Sequence, residues 1–389
     1  MTAPLTVGEL RAAATDKTGL DDFGDDWFDE PLGVLVRSLS EEARLSELGH
    51  QMTRRRLVAL LVDRLRLREL VRTHPAISDE QVTVAAEICG LPRTGSTLLH
   101  RLLASSPQLT STASWETSYP LPFPGEPAEA PERKRRAQER MAAFLALSPE
   151  FADIHSVSWE APEEDVILVD RSFTSMSFDS FYWAPSYGVW LRGFDQSRAY
   201  AELREWLQVL QWQDPRRGPD RRWVLKSPHH LTAAATVLDT FPGCKIIMTH
   251  RSPVEAVPSY ASMVVSMTSQ YSDAVDPVAV GRYWSARFKE TLDGLGPVRA
   301  QHPDRFIDVH YKAVQRDPLA QAHQIMGSLG LPVTAEDTDA WTRYLEHNRS
   351  ERHGTHSYSA EDFGLSAQQL STDFAPYIAT YLPEDQPCS

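Results

Sequence analysis

The stretch VTVAAEICGLPRTGSTLLHRLL, residues 82–103, decides the fold. Its first part, Val82 to Cys89, is a short apolar run that predicts a buried strand, and Leu98 to Leu103 has the composition of a helix. A glycine-containing loop joins them. Successive backbone N–H groups in such a loop, together with the N-terminus of the following helix, bind anions. The stretch therefore predicts a strand–loop–helix unit that holds a phosphate.

The loop itself, GLPRTGST at residues 90–97, is close to the nucleotide-triphosphatase pattern G-x-x-x-x-G-K-[ST]. Ser96 stands where that pattern has its lysine, which a triphosphatase needs on the β- and γ-phosphates. A cation lies inside the loop instead, at Arg93, and its guanidinium can donate several hydrogen bonds to an anionic group. The loop therefore argues for an anionic ligand other than a nucleoside triphosphate.

Three further apolar runs predict strands, and each is followed by a helical stretch. They are Arg222–Lys226, Lys245–His250 and Arg305–Tyr311. Strands that alternate with helices predict a parallel sheet with helices on both faces. We therefore predict an α/β, P-loop-like three-layer fold, and ligands bind such sheets at the carboxyl ends of the strands.

The pattern of the N-terminal part of the chain predicts helices. Between Trp27 and Val71 apolar residues recur every three to four positions, with acidic residues and arginines between them. The sequence therefore predicts an N-terminal helical cap over residues 1–80 and a single α/β domain over residues 81–389.

Composition narrows the classes of function. The net charge of −14 disfavours nucleic-acid binding, because such a surface repels phosphate. Cys89, Cys244 and Cys388 fit neither a zinc site nor a disulfide framework, which favours a reducing compartment. Cys89 and Cys244 lie in or beside apolar runs, so we predict that these two are buried thiols. No apolar segment has the length of a signal peptide or a membrane span, so we predict a cytoplasmic protein. The sequence gives no prediction of oligomeric state.

The segment GLPRTGSTLLHRLL, residues 90–103, resembles the 5′-phosphosulfate loop of the sulfotransferase family. It is most similar to the bacterial branch with Pro-Arg-[ST]-Gly-[ST]-Thr, a loop style that the tyrosylprotein sulfotransferases share. The resemblance implies transfer of a sulfonate group from 3′-phosphoadenosine 5′-phosphosulfate (PAPS) to a hydroxyl of a small-molecule acceptor, by in-line displacement. The loop residues that it implies as cofactor contacts are Pro92, Arg93, Thr94, Gly95, Ser96 and Thr97.

The second family signature holds the 3′-phosphate of PAPS with an arginine at a strand end and a serine eight residues later. The segment KIIMTHRSPVEAVPSY, residues 245–260, matches with Arg251 and Ser259. Ser252 and Glu255 predict a capping box that starts a helix there. Ser259 comes two turns after Ser252 on the same helix face, so Arg251 and Ser259 can converge on one phosphate.

Near the C-terminus, the segment Arg352-His353-Gly354 resembles the Arg-Lys-Gly segment of cytosolic sulfotransferases, which also touches the 3′-phosphate. The resemblance implies that Arg352 and Gly354 bind the cofactor. His353 departs from the family pattern, and a solvated loop is the alternative interpretation.

Sulfonyl transfer needs cations for the developing charge and a base for the acceptor hydroxyl. The resemblance implies that Arg93 contacts the transferred group, and that Lys226, in VLKSPHHL, stabilises the leaving group. For the base, the tyrosylprotein enzymes point to Glu116, whereas the cytosolic enzymes point to His229 or His230. Both alternatives remain open from the sequence.

The remaining acidic cluster and the pairing of the adjacent histidines have structural interpretations. Glu160, Glu163 and Glu164, in SWEAPEED, are interpreted as part of a loop or helix start. No metal is predicted, because PAPS has no γ-phosphate and adjacent histidines after a strand are more often structural than ligands.

The acceptor and the competing functions follow from weaker signals. The ten aromatic residues from Phe151 to Phe194 suggest a lipid, steroid, phenol or polyketide acceptor, and ordinary core and loop packing is the alternative interpretation. A nucleotide-dependent kinase would need a lysine at position 96 and an aspartate at a strand end. A non-catalytic nucleotide-binding module would need neither Lys226 nor a base.

Overall fold

A parallel five-stranded sheet forms the centre of the computed structural model, which describes residues 5–147, 158–349 and 359–383. In chain order the strands are β1 (Val84–Gly90), β2 (Leu109–Thr110), β3 (Arg222–Lys226), β4 (Lys245–His250) and β5 (Phe306–His310). Their spatial order is β2-β3-β1-β4-β5, so the phosphate-loop strand β1 lies in the middle. The four predicted strands are confirmed, and the two-residue strand β2 was not predicted.

Helices account for most of the remaining chain. In the first half they are α1 (Val7–Thr18), α2 (Asp29–Glu41), α3 (Glu47–Thr73), α4 (Ser96–Ala104), α5 (Ser114–Ser118), α6 (Pro131–Leu147), α7 (Val166–Val169), α8 (Met176–Phe181) and α9 (Pro185–Gly193). In the second half they are α10 (Ser197–Gln213), α11 (Ala234–Thr240), α12 (Pro253–Ser269), α13 (Pro277–Gln301), α14 (Tyr311–Arg316), α15 (Pro318–Ser328), α16 (Ala335–Arg349), α17 (Ala367–Asp373) and α18 (Ala375–Tyr381). Short 3₁₀ turns connect several of them, and one, Pro228–Ala233, follows β3 directly.

Alternation along the strands explains the three layers. On β4, Ile246 and Met248 pack against α12 and α13, whereas Ile247 points to the other face and packs with α4 and α15. Both faces are apolar because side chains alternate across a strand and helices cover both sides of a parallel sheet. The predicted three-layer α/β fold is confirmed.

The N-terminal helices pack against residues from the middle of the chain. Side chains of α1, α2 and α3 share one core with Phe173, Phe178, Tyr182 and Tyr187. These four aromatics are fully buried there, which favours the core-packing explanation of the aromatic-rich middle segment over an acceptor pocket. The division at residue 80 into two domains stays a prediction.

Cysteine usage and membrane character were also predicted. Cys89 and Cys244 are free, buried thiols, as predicted, whereas Cys388 lies outside the described residues. Within the described ranges, every helix is too short or too polar to cross a bilayer. The cytoplasmic location stays a prediction.

Candidate active site

The predicted phosphate loop lies between β1 and α4 with the backbone that an anion cradle requires. Arg93 and Gly95 both have left-handed backbone conformations, with φ of 66° and 80°. A Cβ atom at Gly95 would lie 2.8 Å from the ring of Tyr311, and one at Gly90 would collide with the backbone of Thr249. The two glycines are therefore required by close approach, and α4 begins directly after the loop at Ser96.

Thr94 differs from its neighbours in the loop. Its side chain is 1% exposed, donates to the carbonyl of Leu91 at 2.7 Å and lies 2.6 Å from the hydroxyl of Thr249. The hydroxyl therefore holds the loop to β4, so any contact of Thr94 with a ligand has to come from its backbone N–H.

A cavity of about 400 Å³ opens beside the loop. The loop residues that line it are Pro92, Arg93, Gly95, Ser96 and Thr97, and Arg251 lies on the same wall. Arg101, Tyr311, Gln315, Tyr344 and Asn348 extend this polar part of the lining. The cavity therefore lies at the carboxyl edge of the sheet, where ligands of such folds bind.

Arg93, Arg251 and Ser259, which come from three places in the chain, meet at the loop. Arg93 Nε donates to Ser259 Oγ at 3.1 Å, and Arg251 Nη1 donates to the carbonyl oxygen of Arg93 at 2.8 Å. The Arg251 guanidinium also lies 4.5 Å from the ring centroid of Tyr311. Two guanidinium groups and a hydroxyl at one place favour an anion there.

The start of α12 is built differently from the prediction. The side chain of Ser252 makes no capping hydrogen bond, and Glu255 instead pairs with Arg251 at 2.9 Å, one turn earlier. The predicted capping box is therefore wrong. The half-exposed Glu255 carboxylate instead orients the Arg251 guanidinium beside Arg93 and Ser259.

Lys226 ends β3 next to the loop and is 2% exposed. Its Nζ donates to Glu164 Oε1 at 2.6 Å and lies 3.4 Å from Thr97 Oγ1. Ser227 Oγ donates to the other oxygen of the same carboxylate at 3.0 Å. A buried lysine is costly without an anion, and Glu164 provides one in this structure.

Two of the carboxylates that the sequence analysis placed in a loop or helix start line the cavity. They are Glu163 and Glu164, immediately before α7. Glu163 Oε1 accepts the backbone N–H of Glu164 at 2.9 Å. Burial raises the pKa of Glu163, and the positive charge of Lys226 opposes the rise only in part. The run of acids in SWEAPEED was a visible signal, but nothing local connects it to the loop.

Comparison with known proteins identifies this arrangement. The model of the Sulfotransferase family matches residues 87–335, which include the loop, Glu163, Lys226 and Arg251. The chain belongs to the sulfotransferase family. Its sequence matches none of the curated proteins with which it was compared.

Two solved structures agree with this assignment. Sulfotransferase STF1 from Mycobacterium tuberculosis H37Rv is 31% identical, with a TM-score of 0.84 over 96% of this chain and 99% of that chain. Sulfotransferase STF9 from Mycobacterium avium is 25% identical, with a TM-score of 0.85 over 97% of each chain. The chain is therefore a sulfotransferase, and the structural match extends over almost its whole length.

In this sulfotransferase, Glu116 does not line the cavity. Its buried carboxylate accepts the backbone N–H of Ala113 at 2.8 Å and a hydrogen bond from Arg217 at 2.7 Å. Both side chains of the Glu116–Arg217 ion pair are less than 10% exposed. The candidate base from the tyrosylprotein resemblance thus holds α5 to the turn before β3, away from the lining of the cavity.

Replacing Glu116 by alanine should lower the free energy of unfolding by about 3 kcal/mol, because Arg217 keeps a buried charge without its carboxylate. Sulfotransferase kcat and KM should stay close to the native values. Denaturant unfolding and steady-state kinetics on one preparation measure both quantities. A hundredfold loss of kcat with unchanged stability would instead restore Glu116 as a catalytic group.

The two candidate histidines do not line the cavity, although Ser227 and Pro228, directly before them, do. Both histidines are fully buried. His229 Nδ1 is 3.4 Å from the backbone nitrogen of Met176, and burial lowers the pKa of His229 to about 3. His230 Nδ1 lies 2.6 Å from the hydroxyl of Tyr200 and its Nε2 lies 2.9 Å from Asp165 Oδ2. Both histidines are therefore packed among buried residues, and neither is exposed in the cavity.

Asp165, the partner of His230, and the buried Glu87 fix the backbone at the end of β3. Asp165 Oδ1 accepts the backbone N–H of Lys226 at 3.1 Å, and Glu87 Oε1 accepts that of Ser227 at 3.2 Å. Burial raises the pKa of Glu87, and the charge of Asp165 raises it further. Glu87, Asp165 and His230 are the one group in the described part of the chain with spacing that suits a metal ion. The absence of a metal requirement stays a prediction.

The C-terminal cofactor contacts lie outside the described residues. Arg352 and Gly354, with His353 between them, fall between the described ranges that end at 349 and begin at 359. Their roles in cofactor binding stay predictions from the resemblance.

Proposed function

We propose that this sulfotransferase takes its sulfonate group from PAPS and transfers it to a hydroxyl of a small-molecule acceptor. The observation that carries the proposal is the meeting of Arg93, Arg251 and Ser259 at the loop, with Lys226 on its other side beside Thr97. These groups suit a ligand with two separated anionic ends, as PAPS has.

The proposed roles divide the loop region in two. The backbone N–H groups of residues 93–97 and the Arg93 guanidinium hold the 5′-phosphosulfate, while Arg251 and Ser259 hold the 3′-phosphate. Lys226 Nζ stabilises the negative charge that grows on the 5′-phosphate as the S–O bond to it breaks. A charge-assisted contact of this kind is worth most at a buried position such as that of Lys226.

We assign the base to Glu163. As the acceptor oxygen forms its bond to sulfur, its proton goes to the Glu163 carboxylate. Glu164 is less suited, because Lys226 and Ser227 already engage both of its oxygens. In the described part of the chain, one Glu163 oxygen accepts the N–H of Glu164 and the other accepts no hydrogen bond. A carboxylate with a raised pKa and a free oxygen is a better proton acceptor than one in an ion pair.

The proposal is tested by nucleotide binding. The protein should bind 3′-phosphoadenosine 5′-phosphate (PAP) far more tightly than AMP, since only PAP has the 3′-phosphate that Arg251 and Ser259 would hold. Arg251→Ala should weaken PAP binding by about 2 kcal/mol, or about thirtyfold, the usual cost of losing a charged hydrogen-bond partner. Its effect on AMP binding should be small.

Isothermal titration calorimetry measures these affinities, with Arg282→Ala as the matched control, because Arg282 is exposed on α13 and does not line the cavity. Equal affinity of the native protein for PAP and AMP would remove the basis of the proposal. An equal loss of affinity for PAP and for AMP in Arg251→Ala would also remove it.

A further inference from the structure

The part of the cavity beyond the loop has an apolar lining. Its side chains come from α7, α8 and α12. They are Val166, Ile167, Met176, Phe181, Met263 and Met267. We propose that this wall binds the apolar body of the acceptor, so that the preferred substrates are phenols or alcohols with an extended hydrocarbon group. This inference rests on the proposed function and specifies the acceptor class.

Helix α12 relates the apolar wall to the phosphate site. Ser259, Met263 and Met267 recur every four residues, so they lie along one helix face. At 1.5 Å per residue, Met267 is about 12 Å along the helix axis from Ser259. Because Ser259 contacts the loop arginine Arg93, Met263 and then Met267 line the cavity at increasing distance along α12 from that contact.

The charged lining residues are placed elsewhere. Of the described residues that line the cavity, the arginines are Arg93, Arg101 and Arg251, all on the loop, on α4 or after β4. The acids are Glu163 and Glu164, before α7. The apolar wall therefore offers no charge to pair with a carboxylate, phosphate or ammonium group on the acceptor, and such a group would lose its hydration without compensation.

The polar atoms on the apolar wall already have partners within the protein. The Ser180 hydroxyl lies 2.9 Å from the carbonyl of Met176 and 2.7 Å from the hydroxyl of Tyr260. The Ser177 hydroxyl donates to a carboxylate oxygen of Asp170. A polyhydroxylated acceptor such as a sugar would find few free hydrogen-bonding groups here, and this favours a hydrocarbon body.

The side-chain types indicate tolerance of shape. Met176 and Met267 are buried in one core cluster, and Phe181 and Met263 pack against that cluster while still lining the cavity. Methionine is unbranched and polarizable, so methionine walls adapt to different apolar ligands. Chain length and apolar area should therefore matter more than the particular outline of the acceptor.

Binding of para-alkylphenols to the protein–PAP complex tests the inference without requiring turnover. Across the series from methyl to hexyl, affinity should rise about fourfold for each added methylene group until the wall is covered, the value expected for burial of one CH₂. A phenol that carries a para-carboxylate should bind more weakly than the methyl member. Calorimetry on the complex gives each affinity.

Two variants locate the effect. Met263→Gln should reduce hexylphenol affinity about tenfold while affecting methylphenol and PAP little, because the amide is poorly solvated against the hydrocarbon chain. Met52→Gln is the matched control, since Met52 is likewise partly buried but lies on α3 and packs with the N-terminal core. It should leave the whole series unchanged.

The outcomes separate this inference from the proposed function. Equal affinity for methyl- and hexylphenol in a protein that binds PAP would overturn the apolar acceptor class and leave the donor assignment intact. Failure to bind PAP would overturn the proposed function itself. A rise with chain length that Met52→Gln removes and Met263→Gln preserves would place the acceptor elsewhere, and would also overturn the inference.

Discussion

Replacing Glu163 by glutamine should lower kcat by about 10²–10⁴-fold, the contribution of a positioned general base. Glutamine keeps the size of the side chain and an oxygen that can accept the N–H of Glu164, but it cannot take a proton from the acceptor. The affinity for PAP should therefore hardly change. Steady-state kinetics with an aliphatic alcohol, alongside PAP calorimetry, measure the two effects.

The dependence of activity on acceptor acidity and on pH shows whether Glu163→Gln removes a base or only disturbs the shape of the site. An acidic phenol ionises without help, so it should recover most of the activity of Glu163→Gln. Burial raises the pKa of Glu163, and the base works only when it is deprotonated. Native kcat/KM should thus fall as the pH drops through this raised pKa, and the variant should lack that acidic limb.

Glu160 supplies the matched control for Glu163. It lies in the same acidic segment but is exposed and does not line the cavity, so Glu160→Gln should behave as the native enzyme. If Glu163→Gln remains fully active on an aliphatic alcohol, Glu163 is not the base. Glu164, which also lines the cavity, would then be the next carboxylate to replace.

Replacing Lys226 by methionine should lower kcat by about 10²–10³-fold, as removal of one buried donor to a developing oxyanion does. Methionine keeps an unbranched apolar stem but has no charge to place on the leaving phosphate. Because this loss concerns the leaving group, an acidic phenol should restore little activity. The same panel of acceptors used for Glu163→Gln therefore separates the two roles kinetically.

Two further variants complete the Lys226 experiment. Lys226→Arg keeps the charge and should recover part of the loss. Lys245→Met is the matched control, because Lys245 is the first residue of β4, at the amino end of the parallel strands and away from the cavity at their carboxyl ends, and this change should leave kcat unchanged. Full activity of Lys226→Met on every acceptor would contradict the assigned role and leave the lysine as the structural partner of Glu164.

The parts of the site that the sequence predicted are those with a local pattern. The loop between β1 and α4 is a contiguous motif, and Arg251 and Ser259 are related by helical spacing within one short segment. The periodicity of the neighbouring strands and helices is enough to position the loop and the Arg251–Ser259 pair at the ends of β1 and β4. The structure accordingly brings Arg93, Arg251 and Ser259 together.

The residues that the sequence could not place relative to the cavity are those whose environment depends on distant parts of the chain. The partner of Glu116 is Arg217, 101 positions later, and no local signal shows that this arginine holds the carboxylate away from the cavity. Conversely, Glu163 and Glu164 line the cavity because β3 brings Lys226 beside them, 62 positions after Glu164. Spacing from the loop could not distinguish these acids, because their environment is set by tertiary packing.

Under the proposed assignment, the hydrogen bond from Arg251 to the carbonyl of Arg93 would link the group that holds the 3′-phosphate to the loop that holds the 5′-phosphosulfate. A ligand that engages the Arg251 guanidinium acts at once on the backbone that shapes the loop. A nucleotide with both anionic ends would then engage a single connected site, and a fragment with only one end would gain less than a proportionate part of the binding free energy. If the proposed donor is correct, selectivity for the complete molecule would come from the connection between the two sites as well as from each site by itself.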